Sequence, residues 1–139
     1  MDYKDEIIDH YKNPRNFGEM EDADLTINES NSSCGDVVQV QIKLKRSSMV
    51  DGRGDGLPRA ARNDDVVIKE VRWRGVGCAI STAAASMLSE KVIGMTFVDV
   101  EKIGEEGIVE MMGGEINAGR MKCATLAYRA LLKVMNNEN

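Results

Sequence analysis

Three cysteines and one aspartate are the residues of this sequence best suited to bind a metal. Asp36 follows Cys34 by two positions, and Cys78 and Cys123 come later at almost equal intervals along the chain. The spacing fits no local zinc finger, and an odd number of cysteines would leave one unpaired in a disulfide framework. If the fold brings them together, three thiolates and one carboxylate can hold zinc or supply the terminal ligands of a [2Fe–2S] cluster.

The Cys34–Gly35–Asp36 motif suggests how tightly such a site would hold its occupant. In an extended backbone, residues two apart point to the same side, so the Cys34 thiolate and the Asp36 carboxylate can face one metal. Gly35 permits an unusual backbone angle between them. Carboxylate oxygen suits iron in a sulfide cluster less well than thiolate does. We therefore expect a loosely held cluster, which suits a carrier better than an electron-transfer protein.

The other two cysteines have surroundings that favour thiolates. Cys78 follows a glycine-rich stretch and begins a predicted helix, whose N-terminus lowers the pKa of a thiol. Cys123 lies near the start of the last predicted helix, close to the cations of Arg120 and Lys122. We expect all three sulfurs to be presented to solvent rather than hidden. The alternative is that each cysteine is a small buried hydrophobe.

Hydrophobic periodicity predicts the elements that must position these residues. The expected order is a helix, three strands and then only helices, which indicates an α+β domain with the helices packed on one face of an antiparallel sheet. The predicted elements are a helix at about 4–12, strands at about 23–29, 37–45 and 66–74, and helices at about 79–92, 96–102, 105–112 and 120–134.

The same periodicity predicts which side chains face the core. The second strand should bury Val38, Val40, Ile42 and Leu44. The third strand should place Val67, Lys69, Val71 and Trp73 on one face, and the first helix should place Ile7, Ile8 and Tyr11 on one face.

Length and composition restrict the class of protein. With 139 residues, the chain fits one domain, 1–139, in which the glycine-rich segment 47–65 is predicted to be a flexible hairpin insertion. A net charge of −5 and only 4% aromatic residues argue against nucleic-acid binding. No apolar run reaches the roughly 18 residues of a membrane span. The acidic N-terminus and the unpaired cysteines favour the reducing cytoplasm.

Several motifs, taken in order, resemble the iron–sulfur cluster assembly scaffold family that includes the IscU, SufU and NifU-type proteins. The motifs are IDHYKNPRNFG at 8–18, Cys34-Gly35-Asp36, GCAIS at 77–81 and RMKC at 120–123. The resemblance covers nearly the whole chain except 47–65.

The resemblance implies a fold, a ligand set and partners. The fold would be a three-stranded antiparallel sheet with helices on one face. Cys34, Cys78 and Cys123 would be ligands, with Asp36 as the labile fourth. The protein would be a scaffold rather than an enzyme: it would accept persulfide sulfur from a PLP-dependent cysteine desulfurase, bind Fe²⁺, build a labile [2Fe–2S] cluster and deliver it to apo-proteins. By analogy, Cys123 is predicted to accept the sulfur, and a homodimer would allow conversion to [4Fe–4S].

The chain also departs from the family patterns. The Isc branch usually has histidine directly before the third cysteine, where this chain has Lys122, and its chaperone motif is absent before Arg120. The Arg-x-x-Cys pattern at 120–123 resembles the SufU branch, but the Cys78–Cys123 interval leaves no room for the insertion typical of that branch. A zinc-dependent sulfurtransferase that uses the same Cys3Asp site is therefore the main alternative. A structural zinc module fits less well, because such sites usually use cysteine or histidine throughout.

His10 is the single histidine of the chain. It lies on the first predicted helix, in a part of the sequence that resembles a structural or partner-facing region of the family. We predict a packing or surface role for His10 rather than metal binding.

Overall fold

The fold combines a three-stranded antiparallel sheet with five helices, as described by a computed structural model that covers residues 3–31, 35–46, 66–114, 116 and 120–136. The strands are β1 (Leu25–Asn31), β2 (Asp36–Arg46) and β3 (Val66–Val76), in the order β1-β2-β3. The helices are α1 (Tyr3–Lys12), α2 (Ala79–Lys91), α3 (Phe97–Met111), α4 (Met121–Ala124) and α5 (Leu126–Asn136). The predicted insertion at 47–65 and Cys34 lie outside the described residues.

The central strand confirms the predicted alternation. Val38, Val40, Ile42 and Leu44 of β2 are all buried. They pack with β3 and with apolar side chains of α2 and α5, so the main core lies between the sheet and these helices. The α+β class and the single helical layer follow directly from this pattern.

The predicted face of β3 is wrong at Lys69. Lys43 pairs with Glu70, but the next residue, Leu44, pairs with Ile68, so Lys69 is the extra residue of a β-bulge. The bulge resets the alternation: Ile68 is fully buried and Lys69 is exposed. A strict period of two cannot anticipate such an inserted residue.

Helix α1 packs through a different face from the predicted one. Ile7 joins a small cluster with Ala83, Ala84, Met87 and Met112 against α2 and the end of α3. Ile8 and Tyr11, by contrast, are 46% and 48% exposed. The face turned towards α2 is polar as well as apolar, because it includes His10.

Helix α3 begins and kinks where the sequence predicts. Thr96 and Asp99 form a reciprocal capping box at its start. Gly104 has a φ of 64°, which divides the element into the two predicted pieces. The Tyr128 hydroxyl accepts a hydrogen bond from the Gly104 amide and donates to the Val100 carbonyl, so it satisfies backbone groups freed by the kink. No helix within the described ranges is long and apolar enough to cross a membrane.

Candidate metal centre

Three side chains that the sequence identified as metal ligands lie together. One ligand atom from each of Asp36, Cys78 and Cys123 lies within 4.8 Å of the others. Asp36 is the first residue of β2, Cys78 is the N-cap of α2, and Cys123 belongs to the short helix α4. Cys34 is outside the described residues, so its position relative to this cluster stays a prediction.

Strand pairing explains why residues so distant in sequence meet. Val37 of β2 pairs with Val76 of β3, which sets the start of one strand beside the end of the other. Asp36 therefore lies next to the turn that leads into α2. Helix α4 packs against α2 and brings Cys123 to the same place.

A glycine at position 77 is required for this approach. A β-carbon there would lie 2.2 Å from the Ser81 hydroxyl oxygen and 3.1 Å from the carboxyl carbon of Asp36. Both distances are shorter than ordinary contacts, so any side chain at position 77 would displace the Ser81 hydroxyl and crowd the Asp36 carboxylate. Gly77 thus lets the carboxylate lie against the start of the helix that carries Cys78.

The Asp36 carboxylate fits a cation. Only 5% of the residue is exposed, and its Oδ2 atom has no hydrogen-bond partner among the described residues. Leaving a buried polar atom unpaired costs about 1–3 kcal/mol. A metal coordinated by this oxygen and by two thiolates would compensate that cost, and the donor set suits a thiophilic ion or an iron–sulfur cluster.

Cys78 has the environment expected of a metal-binding thiol. Burial is the largest single influence on the pKa of Cys78 and raises it. Hydrogen bonds together outweigh burial, so the net shift of the pKa is downward; they involve the Ser81 amide, the Cys123 thiol, the Ser81 hydroxyl and the Ile80 amide. The sulfur lies at the N-terminus of a 13-residue helix, where the helix dipole also favours an anion. Cys78 is partly exposed, as the sequence predicted.

Cys123 is more buried than predicted. Only 5% of the residue is exposed, and it packs beside the buried Ala124 in a helix of four residues. The neighbouring Arg120 and Lys122 point to solvent, as expected of basic side chains. Helix α4 ends at Ala124, and α5 begins two residues later, after the C-cap Thr125; this turn directs Cys123 towards α2 rather than towards the surface.

His10 takes a packing role, as predicted. Its Nδ1 atom lies 2.6 Å from the Ser86 hydroxyl of α2, and its side chain is 12% exposed. Burial, and then the nearby charge of Arg15, lowers the pKa of His10. The ring therefore favours the neutral form, and its Nδ1 atom shares a hydrogen bond with the Ser86 hydroxyl.

Sequence reasoning missed the serines of α2. Ser81 contacts the metal centre through Cys78 and Gly77, whereas Ser86 and Ser89 bind the segment after α1. The one available signal was the spacing of Ser86 and Ser89, because residues three positions apart lie on the same face of a helix.

Comparison with known proteins places the whole chain in one group. A match to the NifU-like N-terminal domain family extends over residues 2–137. An iron–sulfur cluster assembly scaffold protein IscU of Archaeoglobus fulgidus is 32% identical over 133 residues, covering 96% of this chain and 74% of the relative. The zinc-dependent sulfurtransferase SufU of Bacillus subtilis is 31% identical over 153 residues, covering 98% of this chain and 90% of the relative.

Solved structures share the fold. A crystal structure of a SufU-type putative scaffold from Fervidobacterium islandicum superposes with a TM-score of 0.69 at 24% identity, covering 94% of each chain. The N-terminal part of a NifU-like protein from Brucella abortus gives a TM-score of 0.67 at 17% identity, covering 96% of this chain and 91% of that one. These structures support the three-stranded sheet and its helical layer.

Proposed function

Because this chain belongs to the NifU-like N-terminal domain family, we propose that it is a scaffold on which an iron–sulfur cluster is assembled and from which the cluster is released. One observation carries the proposal: ligand atoms of two thiols and a buried carboxylate lie within 4.8 Å of one another, and one oxygen of that carboxylate has no hydrogen-bond partner among the described residues. An iron–sulfur scaffold among the relatives supports it.

The cluster is the cargo of this protein, and the ligand set determines how firmly it is held. Cys78 and Cys123 would bind through sulfur and Asp36 through oxygen, with Cys34 as the fourth ligand proposed from its motif. Hydrogen bonds to the Cys78 sulfur favour its thiolate form. The single oxygen ligand weakens the set relative to four thiolates, and this suits a [2Fe–2S] cluster that must be passed on.

Sulfur delivery requires a partner and an external reductant. We propose that a PLP-dependent cysteine desulfurase transfers sulfane sulfur to a scaffold thiolate, so that one S–S bond breaks and another forms. Reducing two sulfane sulfurs to sulfide takes four electrons. Two Fe²⁺ ions supply two of them when they become Fe³⁺, and a dithiol or a one-electron donor protein supplies the rest.

Cys123 remains the predicted sulfur acceptor, and its burial sets a condition. Helix α4 must open before an incoming persulfide can reach a sulfur that is only 5% exposed. Mass spectrometry of peptides from persulfide-loaded protein would distinguish Cys123 from the more accessible Cys78. Extra sulfur found on Cys78 alone would contradict the prediction.

A second function has its own support. The relative in Bacillus subtilis is named a zinc-dependent sulfurtransferase, and this chain shares the Arg-x-x-Cys pattern at 120–123 that resembles its branch. In this alternative, Zn²⁺ would occupy the same thiolate and carboxylate ligands, and one cysteine would leave the metal to accept persulfide.

Anaerobic assembly separates the two functions. The protein is incubated with Fe²⁺, cysteine, a cysteine desulfurase and dithiothreitol, and the visible absorption of a [2Fe–2S] cluster is followed. A scaffold develops the spectrum and then transfers the cluster to an apo-ferredoxin. Absence of any cluster, together with stimulation of the desulfurase only by zinc-loaded protein, would establish the sulfurtransferase instead.

The Asp36→Ala variant tests the proposed lability. We expect the variant to hold its cluster longer in air and to transfer it more slowly, because the oxygen ligand has been removed. Asp22→Ala is a suitable control, since Asp22 is exposed and pairs with Lys43 on the surface. Equal cluster lifetimes in wild type and Asp36→Ala would remove the role proposed for Asp36.

Cellular context follows from the same chemistry. Thiols that must stay free for metal and sulfur favour a reducing cytoplasm. We further propose that apo iron–sulfur proteins are the recipients and that two copies of the chain join when two [2Fe–2S] clusters become one [4Fe–4S] cluster. Sedimentation of the cluster-loaded protein would detect that dimer.

A further inference from the structure

Ser81 lies against the metal centre without being a member of it. It belongs to the first turn of α2, and only 9% of the residue is exposed. Its hydroxyl oxygen lies 2.2 Å from the position that a β-carbon on Gly77 would occupy, on the side that also faces the Asp36 carboxylate. The hydroxyl therefore fills the space between the helix start and the ligand cluster.

The Ser81 hydroxyl has two acceptors and one proton. In the structure it donates to the Cys78 carbonyl at 3.1 Å. The sulfur of the same residue is the second candidate acceptor, and the hydroxyl is among the groups that lower the pKa of that thiol. A serine hydroxyl rotates freely enough to choose between acceptors. An anionic sulfur is a stronger acceptor than a neutral carbonyl, because hydrogen bonds to charged groups are roughly twice as strong.

We propose that Ser81 is a positioning residue for the metal centre, whose hydroxyl donates to the Cys78 thiolate when that sulfur binds a metal. The hydrogen bond fixes the direction of the sulfur lone pairs and stabilises its negative charge. Neighbours that orient a ligand in this way typically contribute about 10–100-fold to metal affinity.

This inference rests on the proposed metal-binding function, and the probe is chosen so that the two can fail separately. Co²⁺ binds thiolate sites of either the scaffold or the zinc type and reports sulfur coordination through charge-transfer absorption. Titration of the reduced protein with Co²⁺ gives both a dissociation constant and the energy of the thiolate bands.

The variants isolate the hydroxyl. Ser81→Ala should weaken Co²⁺ binding by about tenfold and move the thiolate bands to lower energy, because the sulfur loses a hydrogen bond. Ser89→Ala is the matched control: Ser89 is a buried serine on the same helix, two turns away, and its hydroxyl donates to the Ser86 carbonyl. It should give wild-type affinity and wild-type bands.

A second pair excludes an effect of packing. The side chains of Ser81→Thr and Ser81→Val have nearly the same shape, but threonine has a hydroxyl group where valine has a methyl group. The threonine variant should therefore bind Co²⁺ more tightly than the valine variant. Equal affinities and equal band energies in folded wild type and Ser81→Ala, or in the Thr and Val pair, would overturn the role of Ser81. If wild type itself shows no thiolate bands with Co²⁺, the proposed metal centre fails, and this inference fails with it.

Discussion

The two ends of helix α2 contain the same residue type in opposite circumstances. Near the N-terminus, Ser81 borders a cluster whose carboxylate oxygen lacks a partner among the described residues. Farther along, Ser86 and Ser89 belong to a set of mutually bonded groups, here named the α2 polar network. Its members are His10, Arg15, Asn16, Trp73, Ser86 and Ser89.

The α2 polar network attaches the segment after α1 to the rest of the molecule. The Ser86 hydroxyl, fully buried, accepts from the Arg15 amide at 2.9 Å and contacts His10 at 2.6 Å. The Trp73 indole donates to the Arg15 carbonyl at 2.8 Å, so β3 is bound to the same segment. The Arg15 Nη1 atom of this network is buried without a hydrogen-bond partner among the residues that the structure describes.

The difference teaches how structural and ligand-binding polar groups can be distinguished. Most buried polar groups that serve the fold find partners within the protein, and in the α2 polar network Arg15 Nη1 is an exception. A buried carboxylate oxygen that has none, beside two thiols, is instead complete only with a cation. The network should therefore determine stability, and the metal centre should determine binding at some expense to stability.

The sharpest test of this comparison removes one thiol. Cys78→Ala should lower metal affinity by more than about 100-fold, because a direct ligand contributes more than a neighbouring group does. The free energy of unfolding of the metal-free protein should change little, since the sulfur is partly exposed. Competition with a chromophoric chelator and urea unfolding measure the two quantities. Metal affinity close to wild type in this variant would show that Cys78 is not a ligand.

At the other end of α2, we expect a substitution to lower stability without changing metal affinity. Ser86→Ala leaves the Arg15 amide and His10 without their shared partner, and should lower the free energy of unfolding by about 2 kcal/mol. Metal affinity should stay at the wild-type value. A loss of metal affinity equal to that of Cys78→Ala would mean that the two ends of the helix are not independent.

Asp36→Ala should stabilise the metal-free protein. The Oδ2 atom of this buried carboxylate has no partner in the described part of the chain, so replacing it removes a cost of about 1 kcal/mol or more, and the midpoint of urea unfolding should rise. Asp99→Ala provides the contrast, because the Asp99 carboxylate accepts from the Thr96 amide in the capping box of α3 and its loss should lower the midpoint. A lower midpoint for Asp36→Ala would imply that the carboxylate stabilises the fold, contrary to the comparison.

The sequence revealed the metal centre more clearly than the α2 polar network, and the reason is physical. Cysteine and aspartate are residue types that commonly bind metals. The glycines and helix starts beside them can also be read from the local sequence, and they indicate exposed ligand atoms. The contact between His10 and Ser86 joins residues 76 positions apart and uses serine, which has no distinctive chemistry. Only the packing of α1 on α2 creates it.

Burial was the harder property to predict, in both the strands and the site. The period of β2 indicated its core face correctly, yet one bulge at Lys69 shifted β3. Cys123 was expected at the surface because Arg120 and Lys122 flank it, but the turn between α4 and α5 directs the sulfur inward. Local patterns describe a residue's immediate neighbours, whereas its depth depends on where whole elements meet.

The smallest expected effect is the pH dependence that His10 gives to the α2 polar network. Burial lowers the pKa of His10 in the folded protein below its ordinary value of 6.5, with Arg15 adding to this and Glu90, Asp9 and Glu6 opposing it. As the pH falls below about 6.5, the unfolded chain binds a proton at His10 before the folded protein does. The contribution of neutral His10 to the free energy of unfolding is therefore complete above about pH 6.5, and it is lost as the pH falls from there through the pKa of the folded protein.

A protonated ring would also donate from Nδ1 to a Ser86 oxygen that already accepts from the Arg15 amide. Urea unfolding of wild type and His10→Gln at about pH 7.5 and about pH 5.5 measures the effect. The change in the free energy of unfolding between the two pH values is compared in the two proteins, which removes the contribution of carboxylates that titrate in both. Wild type should lose more stability on acidification than His10→Gln. Identical losses would place His10 in a solvated position and would leave the network dependent on Ser86, Ser89 and Trp73 alone.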